Sequence, residues 1–490
     1  MSSEYCCTVV KLDEIQEIPG AVNIAKTTVN GRTIVISKDR KPGDIMIYAS
    51  NESALSHGFL YENNLHDCIE LNKNYVEVQA WLETHKNASE EETKDYLRTK
   101  KGYFGKEGRI RMKKLGGELS MGFLFEPELI SKWAESIGIN LVCDFESMVG
   151  TDFDSVGDKV FIKAYVPERK PRKESKNIKN KQLPKIYKEF DRLIPGQFNF
   201  HYDTQLFEKS ISRFHLDDSV TITLKMHGTS FILSNVISKV PVFGGFYEKL
   251  FPSLPKWLQW TKKGYSVLYS SRRKIQNEMI TNKKPKAYNG LEVCYNYWYE
   301  ALKDYIPEGI TVYGEIVGYI DGTKSFIQKI GNGYDYGCKQ GVSNFMIYRV
   351  NYKSPDGVSI EYDIKDVITY TNRVKELLNA FGKKDIASRI VDLKVLYSGK
   401  IKDMYPVISS SEDWRKELLE KMKNDKTRFG MELKEPLCKN PVYREGIVIR
   451  IDGDPMKEAF KLKCVKFLEK EAKCIDMGEM NDAEIDERYS

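Results

Sequence analysis

The chain has 490 residues, 30% charged and 41% hydrophobic, which fits a water-exposed globular protein of several domains and excludes a fibrous or wholly disordered one. No run of about 18 apolar residues marks a membrane span, and the start, MSSEYCCTVVKLDE, lacks the basic head and apolar run of a secretory signal. A cytoplasmic protein without a membrane partner is therefore expected. The nine cysteines are scattered and form no CxxC pair, so neither a disulfide framework nor a zinc site is expected. The net charge of +6 is compatible with nucleic acid without indicating it.

Residues 1–165 read as β-rich. Apolar or alternating runs recur at Cys7–Leu12, Arg32–Ser37, Asp44–Tyr48, Arg109–Met112 and Lys159–Tyr165, and Pro19-Gly20, Asn30-Gly31 and Pro42-Gly43 separate the first of them. Asn30-Gly31 predicts a tight hairpin. Helices are expected at Asn74–His85 and Glu90–Thr99. Residues 166–189 read as a basic linker. Within it Glu168–Lys185 holds eight Lys/Arg against two Glu, a composition that cannot build a core. From residue 190 to 490 strands and helices are mixed. Strands are predicted at Ser219–Met226, Thr229–Asn235, Ser266–Ser270, Ile310–Ile316, Phe345–Asn351, Gly446–Ile451 and Ala459–Val465. Helices are predicted at Leu291–Lys303, Ile364–Phe381 and Glu412–Lys423.

Six short segments of this last region carry chemistry. In Thr223–Ser230 (TLKMHGTS) Lys225 stands at a strand end before Gly228, and glycine lets backbone turn closely beside a ligand. A lysine amine needs nearby cations or desolvation to free its lone pair. Ser270–Lys274 (SSRRK) offers Arg272, whose guanidinium can fork onto ribose or phosphate oxygens. Glu315 lies within an apolar strand and requires a partner there. Phe345 can present a ring to a purine, a contact of about 1–3 kcal/mol. Glu445 opens the apolar run Gly446–Ile451, a place to hold a hard cation. Lys461 and Lys463, two apart on a strand, point to one face, where an anion such as phosphate relieves their repulsion. Each segment alone is equally a surface lysine, a basic turn, a salt-bridged glutamate or a core phenylalanine.

Together, in this order, they resemble motifs I, Ia, III, IIIa, IV and V of the covalent nucleotidyltransferase superfamily of polynucleotide ligases and capping enzymes. His227 stands where many of these enzymes have aspartate, and Lys-x-His-Gly is more similar to RNA ligases. Glu107–Gly122 (EGRIRMKKLGGELSMG), Gly196–Thr204 (GQFNFHYDT) and Phe467–Glu471 (FLEKE) are similar to bacterial and phage RNA ligases with an N-terminal OB module. The likeness is weaker over 49–100, and Pro241–Gly264 looks like an aromatic-rich insertion. The short stretch after Lys463 leaves no room for a C-terminal OB domain, so that module is expected at the N-terminus.

The resemblance implies an α+β fold. An N-terminal OB-like β-barrel module (1–165) would bind nucleic acid and precede an adenylyltransferase domain (190–490) of antiparallel sheets with flanking helices. It implies an ATP-dependent RNA ligase, in RNA repair, that joins 3′-hydroxyl and 5′-phosphate ends through lysyl-AMP and RNA-adenylate. A DNA ligase or a capping-type guanylyltransferase is the alternative. Lys225 is then the nucleophile. Lys461 and Lys463 hold the α-phosphate and favour a neutral Lys225. Glu315 and Arg272 hold the ribose, Phe345 stacks on adenine with the Leu224 backbone and Gly228 close by, and Glu445 holds Mg²⁺ or Mn²⁺. Arg109, Arg111, Lys113 and Lys114 are candidate contacts to RNA or an RNA-containing nicked duplex. A monomer is expected.

Overall fold

The computed structural model describes residues 5–167, 193–200, 204–246, 250, 254–272, 275–276, 291–454 and 458–479. Residues 168–189 of the expected linker, His201–Asp203, Arg273, Lys274 and residues 480–490 lie outside them. The chain divides into two compact units, one through Val166 and one from Pro167. Among the described residues no helix is long and apolar enough to cross a membrane, and all nine cysteines are free thiols.

Turn chemistry organises the first unit. Ile24–Val29 and Arg32–Ser37 alternate buried with more exposed positions and pair antiparallel around Asn30 and Gly31. Both turn residues have positive φ, 48° and 66°, which the pair Asn-Gly tolerates and most residues do not. Ile15–Glu17 completes this three-stranded sheet. A four-stranded sheet runs in the order Asp152–Phe153, Cys7–Lys11, Ile45–Ser50, Gly122–Phe125. Phe59, Phe125, Trp133 and Phe161 fill a core beneath it. Helices cover Tyr75–Thr84 and Glu90–Lys100, close to the expected spans.

Arg109–Met112 corrects the sequence reading. It forms no strand beyond a single bridge from Arg109 to Ala54, and Arg109 is not a surface cation. Its side chain is 2% exposed and forks onto Glu52, with Nε 3.1 Å from Oε2 and Nη2 3.0 Å from Oε1. A guanidinium enclosed this way cannot reach a phosphate backbone. Arg111, Lys113 and Lys114 are exposed. Replacing Arg109 with Ala strands the Glu52 carboxylate in a buried site, at a cost of about 3–5 kcal/mol. Chemical denaturation followed in the first unit should show that loss. A change below about 1 kcal/mol would mean that water already compensates the pair.

The second unit contains two sheets around one large core. The first has the order Gln205–Leu206, Phe460–Lys463, Gly446–Ile451, Ser219–Lys225, Val395–Lys400, antiparallel except for its first pair. The second follows Thr261–Ser270, Thr229–Pro241, Ile310–Gly318, Ser343–Lys353, Ser359–Glu361, with Ile390–Val391 added in parallel to Ser343–Lys353. The unit is thus α+β with mostly antiparallel sheets, and helices at Leu291–Leu302, Ile364–Ala380, Trp414–Asn424 and Val465–Met477 accompany them. Two strands outrun their predicted spans. Thr229–Pro241 and Thr261–Ser270 form one long hairpin that absorbs the edges of the expected insertion. The junction Met226-His227-Gly228 carries the chain from the first sheet to the second, so residues at the ends of both sheets converge on it.

Candidate active site

Strand register explains why distant residues meet. Lys225 lies opposite Gly446, and Gly446 lies opposite Lys463, so the two lysines flank a residue without a side chain. A Cβ on Gly446 would fall 2.1 Å from the Leu462 carbonyl oxygen, and its φ of 154° is one that side chains rarely adopt. By the same register Thr223, Val448 and Lys461 line up one step away, which puts Lys461 on the face of Lys225 and Lys463.

Glu445 stands at the centre. Its Oε1 is 3.0 Å from Lys225 Nζ and 3.7 Å from Lys463 Nζ, and its Oε2 is 3.6 Å from His227 Nδ1. The Glu445 side chain is only 4% exposed and that of Lys225 is 23% exposed, so the carboxylate is the more enclosed of the two. Oε2 is buried and makes no hydrogen bond. Burial alone would raise the Glu445 pKa, but Lys225, His227 and Lys463 outweigh it and hold the carboxyl below its usual range.

Burial pulls the Lys225 pKa down, but Glu445 and then Glu315 outweigh that effect, and the ammonium titrates above an ordinary lysine. Arg272 pushes the other way and is too weak to prevail. Neighbouring cations such as Arg272 thus favour a neutral Lys225, as expected, but are outweighed. In the nucleotide-free protein the carboxylates dominate, and Lys463 is itself shared between Glu445 and Glu471 Oε1, 3.6 Å away.

The turn between the sheets brings Glu315 in. The Gly228 N–H donates to Glu315 Oε1 at 3.0 Å, and Gln328 donates to the Gly228 carbonyl at 2.6 Å. A Cβ at Gly228 would lie 2.3 Å from the Ile316 carbonyl oxygen, so only glycine fits. His227 donates its backbone N–H to the Tyr336 hydroxyl at 2.7 Å. Its ring meets Tyr334 and Phe467 edge-on at 5.0 and 5.1 Å. Burial, against the opposing pull of Glu445 and Glu471, lowers the imidazole pKa to about 4, so the ring is neutral at pH 7.

The structure therefore brings Lys225, Gly228, Glu315, Glu445 and Lys463 together, with Lys461 on the same face and Arg272 close enough to act on Lys225. One predicted residue is placed elsewhere. Phe345 pairs with Ile316, whereas Glu315 pairs with Met346, so Phe345 and Glu315 project from opposite faces of their sheet. Phe345 is fully buried, edge-on to Phe231 at 5.5 Å and tilted against Trp298 at 5.3 Å. It is a core residue, with about 1.5–3 kcal/mol of burial, and corrects the expectation of an adenine-stacking ring. Tyr348 instead has Glu315, Ser230 and Arg272 as neighbours. The Leu224 side chain is buried and its N–H donates to the Lys394 carbonyl at 2.9 Å, while its backbone adjoins Lys225 in the same strand.

Glu471, Tyr334, Tyr336 and Gln328 were given no role by the sequence. Glu471 follows Phe467 by one helical turn within Val465–Met477, and it ends the segment Phe467–Glu471 whose likeness to RNA ligases was its signal in the sequence. Among the described residues no three His, Cys, Asp or Glu side chains gather as a metal cage.

No protein-family model matches the chain, and no curated protein matches it. Solved structures that resemble it include a point mutant of the Naegleria gruberi RNA ligase with AMP and Mn, at 17% identity and a TM-score of 0.47 over 95% of this chain and 98% of that one. The same ligase with PPi gives 16% identity and a TM-score of 0.48 over 96% and 100%. A further mutant in its apo form gives 17% and 0.49 over 96% and 100%. Likeness at this level leaves the functional reading to the site geometry.

Proposed function

We propose that this protein is an ATP-dependent RNA ligase acting through a covalent lysyl-AMP on Lys225. The observation that carries the proposal is the Lys225 amine, held 3.0 Å from a buried Glu445 carboxylate that Lys463 also contacts. Lys-x-His-Gly at the turn and the resemblance of Glu107–Gly122 to RNA ligases support RNA as the substrate.

In the first transfer the Lys225 Nζ lone pair attacks the α-phosphorus of ATP. A P–N bond forms, the P–O bond to pyrophosphate breaks, and the amine proton passes to solvent. An oxygen of an RNA 5′-phosphate then attacks the same phosphorus, breaks the P–N bond and leaves RNA-adenylate. A 3′-hydroxyl oxygen finally attacks the activated 5′ phosphorus: a phosphodiester P–O bond forms, the P–O bond to AMP breaks, and the hydroxyl proton passes to solvent. Each step spreads charge over phosphoryl oxygens, so the protein chiefly positions and neutralises.

In this reading Lys461 and Lys463 hold the α-phosphate, and Glu315 and Arg272 hold the ribose. Tyr348 replaces Phe345 as the ring beside adenine. The donor chemistry fits a magnesium-type ion: a buried carboxylate whose Oε2 makes no hydrogen bond would hold it. Held by Glu445, such a cation supplies positive charge that neutralises that carboxylate and the phosphoryl oxygens. The first unit acts as an OB-like nucleic-acid module, with Arg111, Lys113 and Lys114 toward phosphates, and repair of broken RNA is the biological role.

The test is a sealing assay with ATP and Mg²⁺ on all-RNA, all-DNA and mixed nicked duplexes, beside single strands. Sealing of RNA ends is expected. Sealing only of all-DNA nicks, or covalent labelling by GTP in place of ATP, would support the alternative enzymes.

A further inference from the structure

We infer that the loop 319–342 sets the position of the Lys225 amine, with Tyr336 and Gln328 as positioning residues that act through the turn Met226-His227-Gly228. The inference deepens the lysyl-AMP reading above and rests on it.

A side chain at the end of a strand is held only as firmly as the backbone that follows it, and backbone N–H and C=O groups need partners. At this turn the partners are side chains. The His227 N–H donates to the Tyr336 hydroxyl at 2.7 Å, and Gln328 Nε2 donates to the Gly228 carbonyl at 2.6 Å. The Gly228 N–H donates to Glu315 Oε1 at 3.0 Å. Two of these three partners belong to one loop, which joins Ile310–Gly318 to Ser343–Lys353 and contains neither helix nor strand. A loop this long inside a compact domain usually serves function. Gln328 and Tyr336 are both buried, so water is no ready substitute for either.

The same loop is anchored to the segment that leads into Glu445. Asp335 is buried, and its carboxylate accepts from the backbone N–H groups of Gly337 at 2.8 Å, Lys439 at 3.0 Å and Asn440 at 3.2 Å. The Tyr334 hydroxyl donates to the carbonyl of Tyr443 at 2.7 Å, and Tyr443 stands just ahead of Arg444 and Glu445. Tyr334-Asp335-Tyr336 therefore ties the turn after Lys225 to the approach of Glu445, the two residues whose side chains meet at 3.0 Å. Backbone strain marks the same place. Tyr336 has a φ of 44°, in the left-handed region that a bulky side chain seldom enters. Such a conformation persists only where its surroundings over-determine it, and it gathers at functional sites. Here the residue so held is the one whose hydroxyl receives the His227 N–H.

The experiment uses the full-length protein and separates the transfer that Lys225 makes from one that it does not. Self-adenylation is followed by rapid quench over a series of ATP concentrations with Mg²⁺. Sealing is followed with RNA already adenylylated at its 5′ end and no ATP, a step that forms no bond to Lys225. Tyr336→Phe and Gln328→Met should each lower the maximal adenylation rate about 10- to 100-fold, the scale of a small misplacement of a reacting group. The ATP concentration for half-maximal rate should change little. Sealing of the adenylylated RNA should fall several-fold less, which also shows that the variants fold. The double variant should lose less than the product of the two single losses, because both side chains hold one turn. Equal losses in the two steps, or a loss confined to ATP affinity, would reduce the loop to general support and overturn the inference. Variants as fast as wild type would overturn it too. Wild-type protein that takes up no adenylyl group overturns the ligase reading and the inference with it. Wild-type protein that is adenylated but seals no RNA removes RNA as the substrate, while the split between maximal rate and ATP affinity still decides for or against the loop.

Discussion

Lys225→Ala protein, incubated with α-labelled ATP and Mg²⁺, is expected to carry no covalent label, while wild-type protein becomes labelled and releases pyrophosphate. The loss should be complete, because the Lys225 amine is the one placed 3.0 Å from Glu445 at the end of Ser219–Lys225. Lys463 Nζ, on the same face, is shared between Glu445 and Glu471 at 3.7 and 3.6 Å. Lys225→Arg separates chemistry from structure. A guanidinium keeps the positive charge beside Glu445 but stays protonated and has no lone pair to donate. That variant should keep the stability of wild type and still remain unlabelled. Label persisting in either variant would place the nucleophile elsewhere.

The second large effect is expected at Glu445. Glu445→Gln keeps the shape and removes the charge. Adenylation should fall by about 10²-fold or more at neutral pH, the scale on which a single preorganised electrostatic contact acts in phosphoryl and acyl transfer. The pH profile should move in a definite direction. In wild type Glu445 and Glu315 hold Lys225 protonated above the ordinary lysine range, so the reactive amine becomes more abundant as pH rises. Removing Glu445 leaves burial to pull the Lys225 pKa down with less opposition. In the metal-free protein the Lys225 amine should therefore titrate at lower pH in Glu445→Gln than in wild type. Its rate of reaction with an amine-selective reagent over a pH series reads that shift. An unshifted titration would mean that Glu445 does not set the protonation of Lys225.

The local part of this architecture was legible in the sequence. Asn30-Gly31 gave its hairpin because the φ values required there are those the two residues tolerate. Lys225, Glu445 and Lys463 carried their motif positions, and Gly446 between them showed why a glycine must follow Glu445. What failed needed non-local register. Alternation along Ser343–Lys353 says that Phe345 and Met346 face opposite ways, but only the pairing with Ile310–Gly318 reveals which of them shares a face with Glu315. Arg109 sits in a basic run that reads as a phosphate contact, and its partner Glu52 is remote in sequence. The protonation of Lys225 was legible only in part, for the same reason. Its cationic neighbours were visible as lysines two apart, while the geometry that lets Glu445 and Glu315 dominate arises from the junction of two sheets.

Mass spectrometry of the intact protein after ATP and Mg²⁺, followed by mapping of the modified peptide, bears most directly on the covalent nucleophile. A single adenylyl group on Lys225, lost again when pyrophosphate is added, is the result expected here. An unmodified protein, or an adenylyl group on another residue, would contradict it.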